Sequence, residues 1–288
     1  MERGWSIEGK HCLVTGATSG IGRAAAIELA RHGARLTLVA RDRARAAATL
    51  DEITARAGAG DVAVIHGDLS SFAAVRSVAA EYVATGRPLH VLVNNAGLVM
   101  DRREATADGI ETTLAVNHYA PFLLTNLLLD PLRASAPARV VTVSSMGHRF
   151  AGRMDPERLE PAGRYSGMRL YCISKLCNVL FTRELARRLA GSGVTAFSVH
   201  PGNVATRFGQ NTRGILNWGS RLITRFRRTP EQGADTIVYL CCAPDVDAAS
   251  GSYFADRRVC RTSRDGTDES LARRLWETSA RVTRLGLA

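Results

Sequence analysis

Short runs of β-branched and aliphatic residues recur along this 288-residue chain, and a longer Ala-, Leu- and Arg-rich stretch separates each run from the next. The runs are Cys12–Thr15, Arg35–Ala40, Val62–His66, Val91–Asn94, Arg139–Ser144 and Thr195–His200, with a weaker seventh near Gly251–Phe254. Helical patterns fill the intervals at Ile21–His32, Arg43–Arg56, Ser71–Ala84, Gly109–Leu128, Tyr171–Ala190 and Glu231–Cys242. The last opens with Thr229-Pro230-Glu231, a capping residue followed by proline in the first turn and an acid beside it. Strands separated by a helix-length connection are parallel neighbours in one sheet with helices packed on its faces. No internal repeat, linker or change of composition divides the chain. The expectation is therefore an α/β fold in one domain spanning 1–288, a doubly wound parallel sheet of about seven strands flanked by helices.

The first strand runs into Thr15-Gly16-Ala17-Thr18-Ser19-Gly20-Ile21-Gly22 and then a helix. Gly16 permits a tight turn, Gly20 lets backbone approach a pyrophosphate, and Gly22 allows close packing of helix on strand. The helix N-terminus supplies free N–H groups and positive dipole character for phosphates. The spacing is G-x-x-x-G-x-G, and the strand before and helix after give it meaning. The second strand ends Val39-Ala40-Arg41-Asp42. An acid at a strand tip selects NAD by bonding both ribose hydroxyls. Here that place falls on Ala40, and the Arg41 guanidinium that follows suits a 2′-phosphate, which favours NADP(H) over NAD(H). A strand end one residue later would put Asp42 in the NAD-selecting place.

Only two of the 38 basic residues are lysines, Lys10 and Lys175, and Lys175 stands four residues after Tyr171. On a helix these share one face, so phenol and ammonium meet. An ammonium favours the phenolate and lowers the phenol pKa toward neutrality. A chance Tyr-x-x-x-Lys on an exposed helix is the competing reading of the pair taken alone.

With the glycine loop, Asn94-Asn95-Ala96-Gly97, Ser144-Ser145, Tyr171-x-x-x-Lys175 and Pro201-Gly202 in order, the whole chain resembles a short-chain dehydrogenase/reductase. More narrowly it resembles the retinol dehydrogenase group. That likeness runs through Tyr171 to Leu185 and Val199 to Val204, then resumes at Thr229 to Ala234 and Ala272 to Trp276. The resemblance implies a Rossmann fold, hydride transfer with a nicotinamide, and a homodimer or homotetramer. It implies Tyr171 as general acid/base, Lys175 as the residue that lowers its pKa and binds the nicotinamide ribose, and Ser145 as a hydrogen-bond donor to the substrate oxygen. Ser144 stays open as the alternative to Ser145. Asn117 is implied to support a proton-relay water near Lys175.

Asp68 and Leu69 should flank the adenine, Asn95, Ala96 and Gly97 should line the nucleotide, and Val204 and Thr206 should cover the nicotinamide carboxamide. With Gly16, Thr18, Ser19, Gly20, Ile21, Gly22, Arg41, Pro201 and Gly202, these make up the expected cofactor contacts. The cofactor half is expected over about 8–145 and a substrate lid over about 203–230.

The interval from Ser145 to Tyr171 spans 26 residues, about twice the family's usual gap, and its prolines and glycines read as an inserted loop. Such a loop roofs the substrate pocket or is an inert surface insertion. His148 is a candidate pocket residue, His200 a hydrogen-bonded structural residue and His118 a packing residue. Phe208, Ile215, Leu216, Trp218, Leu222, Ile223 and Phe226 make 207–228 apolar, which suits a lid over a bulky hydrophobic carbonyl or alcohol substrate. A peripheral membrane helix and ordinary core packing are the rival assignments.

A net charge of +11 raises nucleic acid as a partner, but the arginines are scattered and no recognition motif accompanies them, so none is expected. No apolar run reaches membrane-spanning length, and the N-terminus lacks the apolar core of a signal peptide. The six cysteines show no zinc-like pairing; they read as reduced thiols of a cytoplasmic protein, and no metal is expected. A catalytically silent NADP(H)-binding regulator or scaffold is the alternative function, and an epimerase or dehydratase is disfavoured by the short tail after Gly251.

Overall fold

The strands are almost wholly apolar because both faces of the sheet are covered, as a parallel sheet requires. In the first, β1 (His11–Thr15), every residue is buried, and Leu13 and Val14 have no exposed surface. A computed structural model describes residues 5–58, 60–202 and 228–286. It places β1, β2 (Arg35–Ala40), β3 (Val62–His66), β4 (Val91–Asn94), β5 (Ala138–Val143), β6 (Val194–His200), β7 (Tyr253–Ala255) and β8 (Arg258–Val259) in one sheet. The order is β3-β2-β1-β4-β5-β6-β7-β8. The first seven are parallel, and β8 pairs antiparallel with β7 at Phe254 with Val259 and Ala255 with Arg258. Sheet order reverses between β1 and β4, the crevice where a doubly wound sheet binds its ligand.

One face carries α1 (Gly20–Arg31), α2 (Arg43–Ala57) and α8 (Pro230–Cys242), packed over Val14, Leu36, Val91, Val141 and Phe197. The other carries α3 (Phe72–Ala84), a broken helical passage from Thr112 to Leu127, α6 (Leu129–Ala134), α7 (Gly167–Arg188) and α9 (Glu269–Val282). On that face the ring of Trp276 stacks on Phe181 at 5.8 Å and meets Phe122 edge-on at 4.9 Å, which docks α9 onto α7 and its neighbour. The basic side chain of Arg139 in β5 is buried but donates to Leu240 O at 2.8 Å, and its guanidinium lies 4.1 Å from the Trp5 ring centroid.

Three sequence expectations change. The sheet has eight strands, because Asp256 and Arg257 adopt positive φ (52° and 58°) and turn the chain back onto β7. The helix expected over Gly109–Leu128 is three pieces, namely α4 (Thr112–Leu114), a π-helical turn over Ala115–Tyr119 and α5 (Ala120–Leu127). Helical periodicity in sequence does not distinguish one widened turn inside a helix, and such turns frequently sit at functional sites. Helix α9 was absent from the expected set although Leu271, Ala272, Leu275, Trp276 and Ser279 carry its spacing, with Asp268 as N-cap accepting from Leu271 N at 2.9 Å.

Candidate active site

The glycine loop joins β1 to α1 at the C-terminal edge of the sheet. Gly16 has φ 64°, and a Cβ there would stand 2.8 Å from Ala96 Cα. A Cβ on Gly22 would stand 2.2 Å from both Asn95 Nδ2 and Gly16 O. Asn95 holds the loop in this form, since its Nδ2 donates to Thr15 O at 3.0 Å and Gly16 O at 3.1 Å. Thr15 Oγ1 completes the knot by accepting from Asn95 N at 3.0 Å and Ala96 N at 3.1 Å while donating to Val93 O. Asn95 and Ala96 thus pack directly on the glycine loop, and Thr15 is a contributor that the sequence motif contained without a role.

Helices α2, α3, α7, α8 and α9 each have a side-chain N-cap, from Asp42, Ser71, Ser166, Thr229 and Asp268. Ser19, at the N-cap of α1, makes no such bond. Among the described residues no side chain caps the first-turn amides of Gly20, Ile21 and Gly22, beside Thr18 and Ser19, and this end of the sheet fits a dinucleotide pyrophosphate. Strand β2 ends at Ala40, and Asp42 is spent capping α2, its Oδ1 accepting from Arg45 N at 3.0 Å. Arg41 is exposed, with Nη1 3.8 Å from Asp68 Oδ2. Asp68 also accepts from Ser70 N, and Leu69 packs against the core on the α3 face. These residues cluster at the β2 and β3 ends, where an adenosine would lie.

On the other side of the crevice, Lys175 is buried on α7 and donates to Val143 O at 3.0 Å. Among the described residues that carbonyl is its one acceptor, so two of its N–H donors remain for ribose hydroxyls. Burial lowers its pKa from the ordinary 10.5 to about 8. Its Nζ lies 5.6 Å from the Tyr171 ring centroid. The neighbouring serines part company. Ser144 Oγ donates to Lys175 O at 2.7 Å and is buried, whereas the Ser145 side chain bonds the Tyr171 phenol and accepts from Gly147 N at 3.1 Å. Ser145 is the one that meets Tyr171.

The expected lowering of the Tyr171 pKa is not found in this arrangement. Burial pushes the phenol up to about 12, opposed by the Ser145 hydrogen bond. The ammonium stands over the ring and is itself held by the Val143 carbonyl. Its field therefore offsets little of the desolvation.

Asn117 sits in the π-helical turn with its amide fully used. Oδ1 accepts from Leu98 N at 2.8 Å, and Nδ2 donates to Leu98 O at 2.9 Å and to Ser174 Oγ at 3.1 Å. Ser174, a residue without a sequence-derived role, passes the link to Tyr171 O at 2.7 Å. A Cβ on Gly97 would stand 3.3 Å from Asn117 Oδ1 and 3.5 Å from Lys175 Nζ, so glycine keeps this corner open to a ligand.

The histidines are structural. His118 is buried on Ser279 Oγ at 2.8 Å and its pKa falls to about 3 by burial. His148 Nδ1 lies 2.7 Å from Ser145 O, and its Nε2 accepts from Ser263 N at 3.1 Å, so both ring nitrogens serve to prop the Ser145 turn. The buried Nδ1 of His200 has no partner among the described residues, and burial and then the Arg228 cation lower its pKa to about 4. Pro201 and Gly202 follow at the end of β6, with Arg228, which pairs with Asp256, packed against Gly202. Val204, Thr206 and the lid expected over 203–230 lie outside the described residues up to 227.

A parallel sheet with a glycine-lined anion site on one side of its crevice and a Ser–Tyr–Lys cluster on the other defines a nucleotide-dependent oxidoreductase of the short-chain type. The short chain dehydrogenase model matches residues 10–214, and the chain belongs to that family. It is 42% identical over 273 residues to Retinol dehydrogenase 11 of Mus musculus, covering 95% of this chain and 86% of that protein. It is 42% identical over 277 residues to Retinol dehydrogenase 12 of Homo sapiens, covering 96% and 87%. Among solved structures, an uncharacterized protein from Mycobacterium paratuberculosis aligns with TM-score 0.78 at 34% identity over 98% of each chain. Pseudomonas aeruginosa RhlG, solved as an NADP active-site complex, aligns with TM-score 0.70 at 26% identity over 94% of this chain and all of that one. Retinol dehydrogenase-like relatives, family and fold agree.

Proposed function

We propose that the chain is an NADP(H)-dependent oxidoreductase for a bulky hydrophobic aldehyde, ketone or alcohol, with Tyr171 as general acid/base. The observation that carries this is the hydrogen-bonded Ser145–Tyr171 pair, with a buried Lys175 ammonium beside the phenol ring. When bound in the crevice, a nicotinamide dinucleotide supplies the hydride. In carbonyl reduction, Ser145 and Tyr171 both donate to the substrate oxygen as negative charge builds there, and Tyr171 gives up its proton to it. Lys175, its Nζ 5.6 Å from the Tyr171 ring centroid, adds modest support to the phenolate and would grip ribose hydroxyls of the bound dinucleotide with the N–H donors not given to Val143. Asn117 keeps the Leu98 backbone and, through Ser174, the Tyr171 turn in place.

For the cofactor, support comes from Arg41 directly after the β2 tip, with Asp42 turned to capping, and from the NADP complex among the structural neighbours. For the substrate, it comes from Met146, Phe150 and Met168, exposed apolar side chains on the segments that carry Ser145 and Tyr171. The names of the relatives point the same way, toward a long apolar alcohol or aldehyde. A cytoplasmic homo-oligomer completes the proposal.

The test is depletion of NADPH against a panel of retinal, alkyl aldehydes, steroid ketones and polycyclic aromatic ketones. Turnover of a bulky member supports the assignment. Tight NADPH binding with no turnover across the panel overturns it in favour of a catalytically silent NADP(H)-binding regulator.

A further inference from the structure

Away from the reacting groups, a carboxylate is buried where an apolar residue would be expected. Glu111, 1% exposed, precedes the α4 turn that leads into the π-helical turn bearing Asn117. Its Oε2 accepts from Leu114 N at 3.0 Å, which caps that passage. Its Oε1 accepts from Thr113 Oγ1 at 3.0 Å and from the Tyr165 phenol at 2.9 Å. Tyr165 belongs to the insertion after Ser145 and immediately precedes Ser166, the N-cap of α7. Burying a carboxylate is costly unless its lone pairs are filled, and here three donors fill them.

Between the two residues runs the segment after Gly97, tied to both. Leu98 is held by Asn117, Met100 N donates to Thr113 Oγ1 at 3.3 Å, and Tyr165 Oη lies 3.3 Å from Met100 O. The backbone of α7 presses on the same point, since a Cβ on Gly167 would stand 1.6 Å from Met100 O. The insertion is also clamped at its flanks. Arg103 forks onto Glu160, and Glu157 holds Thr278 and Arg281 of α9. These contacts tie the insertion to the body of the fold.

We infer that Glu111 and Tyr165 are positioning residues, whose carboxylate–phenol bond sets the register between the passage bearing Asn117 and the helix bearing Tyr171 and Lys175. The bond joins the N-terminal ends of both elements, 54 residues apart in sequence. Tyr171 and Lys175 lie within the next two to three turns of α7, so a shift of its first turn moves the phenol relative to Ser145. The inference rests on the catalytic assignment above, and neither residue touches the reacting atoms.

The experiment uses the full chain with Tyr165→Phe, which removes one hydroxyl, and Glu111→Gln, which keeps the shape. Tyr165→Phe should lower kcat roughly tenfold or more while KM for NADPH stays within about twofold, since misplacing a catalytic group by a fraction of an ångström acts on the chemical step. In the alcohol-oxidising direction activity rises as Tyr171 ionises. Loosening the Ser145 bond that favours ionisation should move that rise to higher pH. The double variant should cost less than the product of the two singles, as expected of partners in one bond.

Amide hydrogen exchange gives a readout independent of turnover, and both the 112–119 and 167–175 segments should exchange faster in Tyr165→Phe. Unchanged kcat per folded molecule with an unmoved pH rise overturns the inference. So does faster exchange confined to 160–166. If the unaltered chain turns over no substrate, the catalytic assignment fails, and the exchange pattern alone then decides whether the pair sets the helix register.

Discussion

The Lys175 ammonium stands 5.6 Å from the centroid of the Tyr171 ring and donates to the Val143 carbonyl, so the cation is anchored to the end of β5 beside the phenol. The Ser145 side chain bonds the phenol. Serine, phenol and buried ammonium therefore lie together at the end of β5.

Removing the phenol oxygen should be the most damaging conservative change. Tyr171→Phe is expected to reduce kcat by ~10²–10⁴-fold, the usual worth of a positioned acid/base, with NADPH affinity nearly unchanged. Steady-state kinetics and cofactor fluorescence titration check both halves. Substantial residual turnover would remove Tyr171 as the acid.

The adjacent serines should separate cleanly. Ser145→Ala takes away a donor to the substrate oxygen and should lower kcat with little change in unfolding midpoint. Ser144→Ala deletes the buried bond to Lys175 O and should destabilise the fold by about 1–3 kcal/mol. The comparison needs denaturant unfolding and kinetics on the same preparations, and the opposite pattern would reassign the pair.

Arg41→Ala should weaken NADPH by roughly 10- to 100-fold, the worth of a lost charge-assisted bond of ~1.5–3 kcal/mol, and leave NADH almost untouched. Kd values for both cofactors decide it. Equal losses would mean that Arg41 meets no 2′-phosphate.

Lys175 makes stability depend on pH in a definite direction. Its pKa is about 8 in the native state against an ordinary 10.5. Between these values the unfolded chain binds the proton that the native state has released, so unfolding free energy rises with pH across this window and is flat in this group below it. Lys175→Met should flatten the rise. Denaturant unfolding of both proteins at about pH 7.5 and 9.5 is the check, and identical pH slopes would contradict the assignment.

Gly22→Ala should be poorly tolerated although alanine is the better helix former. Its methyl would stand 2.2 Å from Asn95 Nδ2 and Gly16 O, displacing the side chain that ties the loop. A loss of ~1–3 kcal/mol is expected from overpacking, with NADPH binding weakened alongside. Thermal melting with and without NADPH measures both, and an unshifted midpoint would show that the loop adapts.

Much of this was legible in the chain. The alternation of apolar runs and helical stretches determined a doubly wound parallel sheet, because period and length are local properties of backbone geometry. Gly16, Gly20 and Gly22 between a strand and a helix, and Tyr171 with Lys175 one helical turn apart, are local patterns of the same kind.

What tertiary structure alone decided concerns direction and depth. Adjacent in sequence, Ser144 and Ser145 differ only in which side of the β5 end each faces, and packing of α7 chooses Ser145 for Tyr171. Whether Lys175 lowers or fails to lower the Tyr171 pKa depends on burial and on the Val143 carbonyl, neither of which a four-residue spacing encodes. Glu111 and Tyr165 are unremarkable in sequence, and only the folding of the insertion onto the segment after Gly97 brings them to 2.9 Å. Periodicity specifies which elements form. Desolvation and long-range packing specify which side chains share a site and what charge they carry there.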